Sequence, residues 1–223
     1  EALQPPHPFD LTSLQREAYR LHKISPSQTL KLAQKLYLDG LISYPRTSSQ
    51  KIPDSIQPKK ILKSLNKQFP LTYLATRPKP IEGKKVDPAH PSIYPTGELP
   101  NKIQDQEQKL YNIIARRFIS CFCQDAKIDR RRTTLLALPD KNLGFKSSGL
   151  SIIEKNWLEV YPAIIEEKSI PDLNGQVKID QIKFEDRQTT PPKRYTPTSL
   201  VTTLEKKNLG TKATRSSIVE TLF

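Results

Sequence analysis

The sequence predicts an α+β fold: a helical first half, a small β-rich segment, and the start of a further helical unit. Three observations support this. Apolar residues recur at helical spacing within residues 1–120. After Gln124 the texture changes, over roughly residues 125–190, to short β-branched and partly alternating runs punctuated by Gly and Pro. Helical spacing returns over residues 196–223. No internal repeat and no low-complexity tract is visible.

Taken in order, "EALQPPHPF" is a Pro-rich lead-in. "DLTSLQREAYRLHK" places Leu14, Ala18 and Leu21 at helical spacing, with Thr12 or Ser13 as the cap. "SPSQTLKLAQKLYLDG" is the clearest helix. Ser25 caps it, Pro26 suits the first helical position, and Gln28 completes a capping-box pattern. Leu30, Ala33, Leu36 and Tyr37 fall along one face, and Gly40 supplies a left-handed stop. The short turn at Lys23 and Ile24 makes a helix-turn-helix outline. The strand-like "LISYPRT" follows at once, which makes the order winged-helix-like. An ordinary helical hairpin has the same outline.

Residues 51–70 are Lys-rich and weakly helical, and Lys51, Lys59, Lys60, Lys63 and Lys67 form either a basic surface or a solvated face. Residues 77–100 are irregular. "DQEQKLYNIIARRFISCFCQ" is a second strong helix with Leu110, Ile113, Ile114 and Phe118 on one face. "KIDRRRTTLLAL", "LGFKSSGLSII" and "QVKIDQIKFEDRQ" read as strands, and "TTPPKRY" as a linker. The last stretch reads as a helix capped at Thr198 or Ser199, with a turn at Gly210.

Lys and Arg number 36 against 23 acidic residues, so the net charge is +13 and the pI about 9.7. Such an excess suggests a polyanionic partner, most commonly nucleic acid, although a solubilising surface gives the same count. No apolar run approaches the ~18 residues of a membrane span, and no signal peptide is visible. Cys121 and Cys123 are separated only by Phe122, which strains a disulfide, and they lack the second pair a zinc site needs. They read as reduced thiols of a cytoplasmic protein. Methionine is absent and "SSIVETLF" stops in a helical pattern, so the chain is expected to be a piece of something longer.

Several chemistries find no support. His7, His22 and His90 are scattered without metal-ligand spacing, and no G-x-S-x-G elbow or phosphate-binding G-x-x-x-x-G-K loop occurs. No metal site is expected in these residues. Tyr44, in "LISYPRTSSQ", is different. A phenol is a weak nucleophile near neutral pH, with an ordinary pKa near ~10. A cation close by favours the phenolate and neutralises charge growing on a phosphoryl oxygen. Arg46 supplies one with a planar fork, and Thr47, Ser48, Ser49 and Gln50 supply donors for backbone phosphates. On its own this motif also fits a structural tyrosine.

"GLISYPRTSSQKIP" resembles the active-site motif of type IA DNA topoisomerases, in wording closest to the archaeal enzymes. "PPHPFDLTSLQREAYRLHKISPSQTLKLAQKLYLDG" is similar to the helices leading into that motif, and "DPAHPSIYPTGE" to the family's His-containing motif. "RRFISCFCQDAKIDRRRTT" and "NWLEVYP" resemble the return into a β-rich arch. "PPKRYTPTSLVTTLEKKNLGTKATRSSIVETL" resembles the next DNA-binding motif. The likeness is collinear along nearly the whole chain.

The resemblance implies a helical cleavage domain at 1–120, a β-rich arch or hinge at 121–195 and a truncated DNA-binding unit at 196–223. It makes Tyr44 the nucleophile that joins a 5′ phosphate, Arg46 the arginine beside that phosphate, His90 a phosphate or hydrogen-bond partner, and Lys212 and Thr214 backbone contacts. The implied reaction nicks one strand, passes another and reseals without ATP, relaxing negative supercoils. The family's TOPRIM domain, which carries a glutamate and the magnesium-binding acids, has no counterpart in these residues. Mg2+ is therefore expected only in a parent enzyme, and the chain alone is expected to be inactive, monomeric, nucleoid-associated and bound to single-stranded DNA. The competing reading is a non-catalytic helix-turn-helix module for single-stranded DNA. A tyrosine recombinase or relaxase fits poorly, for want of further Arg and His around Tyr44.

Overall fold

The computed structural model describes residues 1–137 and 144–222. Helix α1 (Leu11–His22) starts at Asp10, not at Thr12 or Ser13. The Asp10 carboxylate accepts from the Ser13 N–H at 2.7 Å, and Ser13 Oγ accepts from the Asp10 N–H at 3.1 Å. Ser13 is thus the third-residue partner of a capping box. Lys23, in the left-handed region at φ 58°, ends α1 and turns the chain into α2 (Pro26–Leu38). Ser25 caps α2 through the Gln28 N–H. The Gln28 side chain does not complete the expected box, because it donates instead to Gln106 Oε1 at 2.8 Å. Leu30, Leu32, Ala33 and Leu36 are buried, but Tyr37 is 39% exposed and leaves the core face. Gly40 takes φ 72° and stops the helix as expected.

The expected strand at Leu41–Thr47 is reduced to an isolated bridge, Ile42 with Pro95. The Leu41 and Tyr94 carbonyls accept from Thr96 and Ser43 N–H groups at 3.0 and 2.9 Å. Helix α3 (Pro58–Leu65) buries Ile61 and Leu65 and leaves Lys59, Lys60 and Lys63 in solvent, so those lysines line a solvated face. Helix α4 (Asp105–Ser120) runs through the middle of the core, with Leu110, Tyr111, Ile113, Ile114 and Phe118 buried. That core continues into Cys121, Phe122 and Cys123 and takes in Trp157, Val160 and Tyr161.

The sheet is antiparallel, in the order β1 (Ala2–Leu3), β2 (Ala126–Leu136), β3 (Gly144–Glu154). Leu3 pairs with Ala126, and β2 with β3 over a long ladder from Lys127–Glu154 to Leu136–Gly144. Leu138 and Leu143, expected in these strands, and Phe223 lie outside the described residues. The third expected strand, within residues 176–188, does not form. Val177 and Ile179 alternate, but the step from Ile179 to Ile182 breaks the period; these residues and Phe184 are exposed, and no ladder joins them to another strand among the described residues.

After the short helix α5 (Trp157–Val160) and a long irregular stretch, α6 (Pro197–Lys206) and α7 (Arg215–Glu220) form the final helical pair. Thr196, not Thr198 or Ser199, caps α6, and Ser199 closes its capping box. Helices α6 and α7 pack on α1 and α2, burying Val201 and Val219. Among the described residues no helix is long and apolar enough to cross a membrane.

Candidate active site

Tyr44 stands six residues beyond the end of α2 (Pro26–Leu38), on backbone held from the side. Ser43 Oγ donates to the Ser92 carbonyl at 3.0 Å and accepts from the Tyr94 N–H at 2.9 Å. The Tyr44 ring meets Tyr37 edge-on at 5.3 Å and lies 4.6 Å from the His90 ring. The exposure of Tyr37 is thereby explained: it faces Tyr44 and not the core.

Arg46 follows. Its Nε is buried and has no hydrogen-bond partner among the described residues. Thr47 is 1% exposed, and its hydroxyl donates to the His90 carbonyl at 3.3 Å, which ties the two motifs together. Ser48 donates twice to Asp87 Oδ2, from its N–H at 3.2 Å and its hydroxyl at 3.1 Å. Ser49 is buried, and its hydroxyl accepts from the Lys51 N–H. Gln50 turns inward: its amide donates to Asp10 Oδ2 at 3.2 Å and packs on Gly83. A Cβ at Gly83 would lie 2.0 Å from Gln50 Oε1, so glycine there makes room for the amide.

Part of this segment lines one wall of an open cleft of about 550 Å³. Tyr44, Arg46, Thr47 and Ser48 face Asn208, Thr211, Lys212 and Arg215 of the final helical pair. Two ion-pair ties join the walls. Lys212 pairs with Asp87, and Lys85 bridges Asp10 at 3.0 Å and Glu205 at 2.9 Å. Lys212, together with the Ser48 and Ala89 N–H groups, holds the Asp87 carboxyl far below the usual aspartate range despite its burial. Burial disfavours the charged Lys85, but its two carboxylates outweigh this and raise its pKa. Burial likewise opposes the charge on Glu205, and Lys85 prevails there too, lowering its pKa.

Tyr44, Arg46, Thr47, Ser48 and Lys212 therefore meet in one cleft, with His90 against the Tyr44 ring. Ser49 and Gln50 do not reach it. Thr214 lies off its lining, and its hydroxyl accepts from the Thr211 N–H at 2.9 Å. The sequence reading missed Asp87, Asp10, Lys85 and Glu205. Asp87 lies in the quoted "DPAHPSIYPTGE", so its place beside His90 was a usable signal.

A family model described as DNA topoisomerase matches residues 1–223. The chain belongs to the type IA DNA topoisomerase family. DNA topoisomerase 1 of Pyrococcus horikoshii is 44% identical over 231 residues, covering 98% of this chain and 33% of that protein. DNA topoisomerase 3-alpha of Homo sapiens is 32% identical over 97% of this chain and 22% of its own length. Full-length topoisomerase I from Thermotoga maritima superposes with a TM-score of 0.77 at 26% identity, over 100% of this chain and 38% of that one. The chain thus spans about a third of the length of the archaeal topoisomerases it matches.

The magnesium implied by this family finds no donor set among the described residues. Among the described residues no three His, Cys, Asp or Glu side chains stand together as metal ligands. The carboxylates of the cleft, Asp10, Asp87 and Glu205, are each engaged by a lysine.

Proposed function

We propose that this chain is the strand-cleaving part of a type IA topoisomerase. Residues 1–120 form a winged-helix-like cleavage domain, 121–195 the arch on which it swings, and 196–223 the start of a DNA-binding unit. The observation that carries the reading is the buried, partnerless Nε of Arg46 in the cleft that Tyr44 lines. An unpaired buried donor costs about 1–3 kcal/mol, and a bound phosphate oxygen would satisfy it.

In this reading a single strand of DNA lies along the cleft. The Tyr44 oxygen attacks a backbone phosphorus and forms the P–O bond, while the P–O3′ bond breaks and its electron pair leaves with the 3′ oxygen. The phenol loses its proton and the 3′ oxygen gains one. One phosphodiester replaces another, so resealing needs no ATP. Arg46 neutralises charge on the phosphoryl oxygens. His90 fixes the Tyr44 ring and offers a hydrogen bond to the same phosphate. Lys212 takes a neighbouring phosphate. The proton-transferring glutamate and the Mg2+ belong to a TOPRIM domain elsewhere in the parent enzyme, and no step here passes through a metal. The parent acts as a monomer on chromosomal DNA in the cytoplasm.

The test is a covalent-adduct assay with a single-stranded oligonucleotide labelled at its 3′ end. The chain is mixed with it and Mg2+, with and without the TOPRIM segment of a related enzyme, then denatured. The expected result is a labelled protein band that needs the added segment and is lost in Tyr44→Phe. Tight binding with no adduct, even in the intact parent, would make the chain a non-catalytic single-strand-binding module.

A further inference from the structure

We propose that Asp87 is a positioning residue for DNA binding: it aims the Lys212 ammonium into the cleft to hold one backbone phosphate. The inference rests on the reading of the cleft as a single-strand site.

The Asp87 side chain is only 5% exposed and receives four donors. Ser48 gives its N–H and its hydroxyl, Ala89 gives its N–H at 3.1 Å, and Lys212 gives one ammonium proton. Three of these bonds fall on Oδ2 and one on Oδ1, so the oxygen that Lys212 meets is fully engaged and the carboxylate is held from both sides. Lys212 differs. It carries three donors, spends one on Asp87, is 39% exposed and lines the cleft. The two remaining donors suit a phosphate. A lysine on a flexible four-carbon stem is a poor phosphate contact until something fixes it, and a buried, braced carboxylate does so.

The same geometry changes the part played by Ser48. Its two donors are spent on Asp87, so it braces the carboxylate from behind and leaves the phosphate contact to Lys212. The pair also joins residues 125 apart in sequence, one on each wall of the cleft. The rival arrangement makes Asp87 an internal anion seated where a phosphate belongs, which DNA must displace. The two arrangements predict opposite signs.

The experiment is fluorescence anisotropy of a labelled single-stranded oligonucleotide with this chain across a salt series. It compares Asp87→Asn, Lys212→Ala and the double variant. Each single variant is expected to weaken binding about fivefold, the worth of one partly exposed ion pair. Each is also expected to lower the salt slope by about 0.7, the value of one phosphate on a single strand. The double variant should bind no worse than Lys212→Ala alone.

Unchanged or tighter binding by Asp87→Asn overturns the proposal, and so do additive losses. If Asp87→Asn does not fold, Ser48→Ala removes one brace and leaves both charges. A loss of about twofold that vanishes in the Lys212→Ala background then supports the proposal, and no loss overturns it. If the unaltered chain binds no oligonucleotide, the single-strand reading itself fails and takes this inference with it. A bound oligonucleotide indifferent to all of these variants removes the inference alone.

Discussion

The Tyr44 ring lies 4.6 Å from His90 at a tilt of 49°, and Tyr37 meets it edge-on at 5.3 Å. The clamp acts on the ring, so the hydroxyl is not what anchors this side chain. Tyr44→Phe keeps both ring contacts and should remain within about 0.5 kcal/mol of the unaltered chain in urea unfolding. Tyr37→Ala removes the edge contact and should cost about 0.5–1.5 kcal/mol beyond its lost buried area. A Tyr44→Phe loss as large as that of Tyr37→Ala would give the hydroxyl a structural role, and a missing adduct could then no longer be ascribed to chemistry.

Arg46 should separate stability from binding. Its Nε is buried without a partner among the described residues, so the folded chain bears a desolvation cost there. Arg46→Met keeps the apolar stem and removes that donor. It should leave the urea midpoint unchanged or raise it, by up to about 2 kcal/mol of stability, while single-strand affinity falls. Residues that hold a fold together lose both on truncation. A marked drop in stability would mean that Arg46 is chiefly a packing residue.

The helices were readable from the sequence because their apolar spacing coincides with their burial. Leu30, Ala33 and Leu36 are buried on the expected face, whereas Tyr37, assigned to that face, answers to Tyr44 across space. The caps at α1 (Leu11–His22) and α6 (Pro197–Lys206) were misjudged for a common reason. A capping box holds two small polar residues three apart, and the sequence does not mark which one is the cap. The alternation at Val177 and Ile179 met the strand pattern, but a strand needs a neighbour, and spacing along one segment does not supply it. The Tyr44 motif was legible as contiguous residues. Asp87 with Lys212 was not, since local periodicity cannot pair residues so far apart.

Cys121 and Cys123 should be inert while the chain is folded. Both are fully buried in the continuation of α4 (Asp105–Ser120), and burial pushes each thiol up to about 12. The thiolate is the reactive form and is almost absent at pH 8 with so high a pKa. A thiol reagent should label neither residue at pH 8 until urea unfolds the chain, after which both should react. Rapid labelling of the native chain would show that the core around Phe122 opens locally.

The Asp87 carboxylate gives the chain an acid-sensitive element with a definite sign. Its pKa is depressed in the folded state, chiefly by Lys212, from an ordinary value of 3.8. Its contribution to stability is therefore complete above that value, and it is lost as pH falls toward the lower folded value. Asp87→Asn keeps an oxygen for the Ser48 donors but removes the ion pair, so it should be less stable than the unaltered chain at pH 6. The gap should close as pH falls from about 4 toward 2, because protonation then takes from the unaltered chain what the substitution has already removed. Glu107 and Glu205 also have lowered values, so both chains lose stability in acid, and the difference between them isolates Asp87. Urea unfolding of both chains at pH 6 and pH 3 measures it. A gap that stays constant between those two values would mean that the carboxylate has the same proton affinity folded and unfolded, and that its pairing with Lys212 contributes nothing to stability.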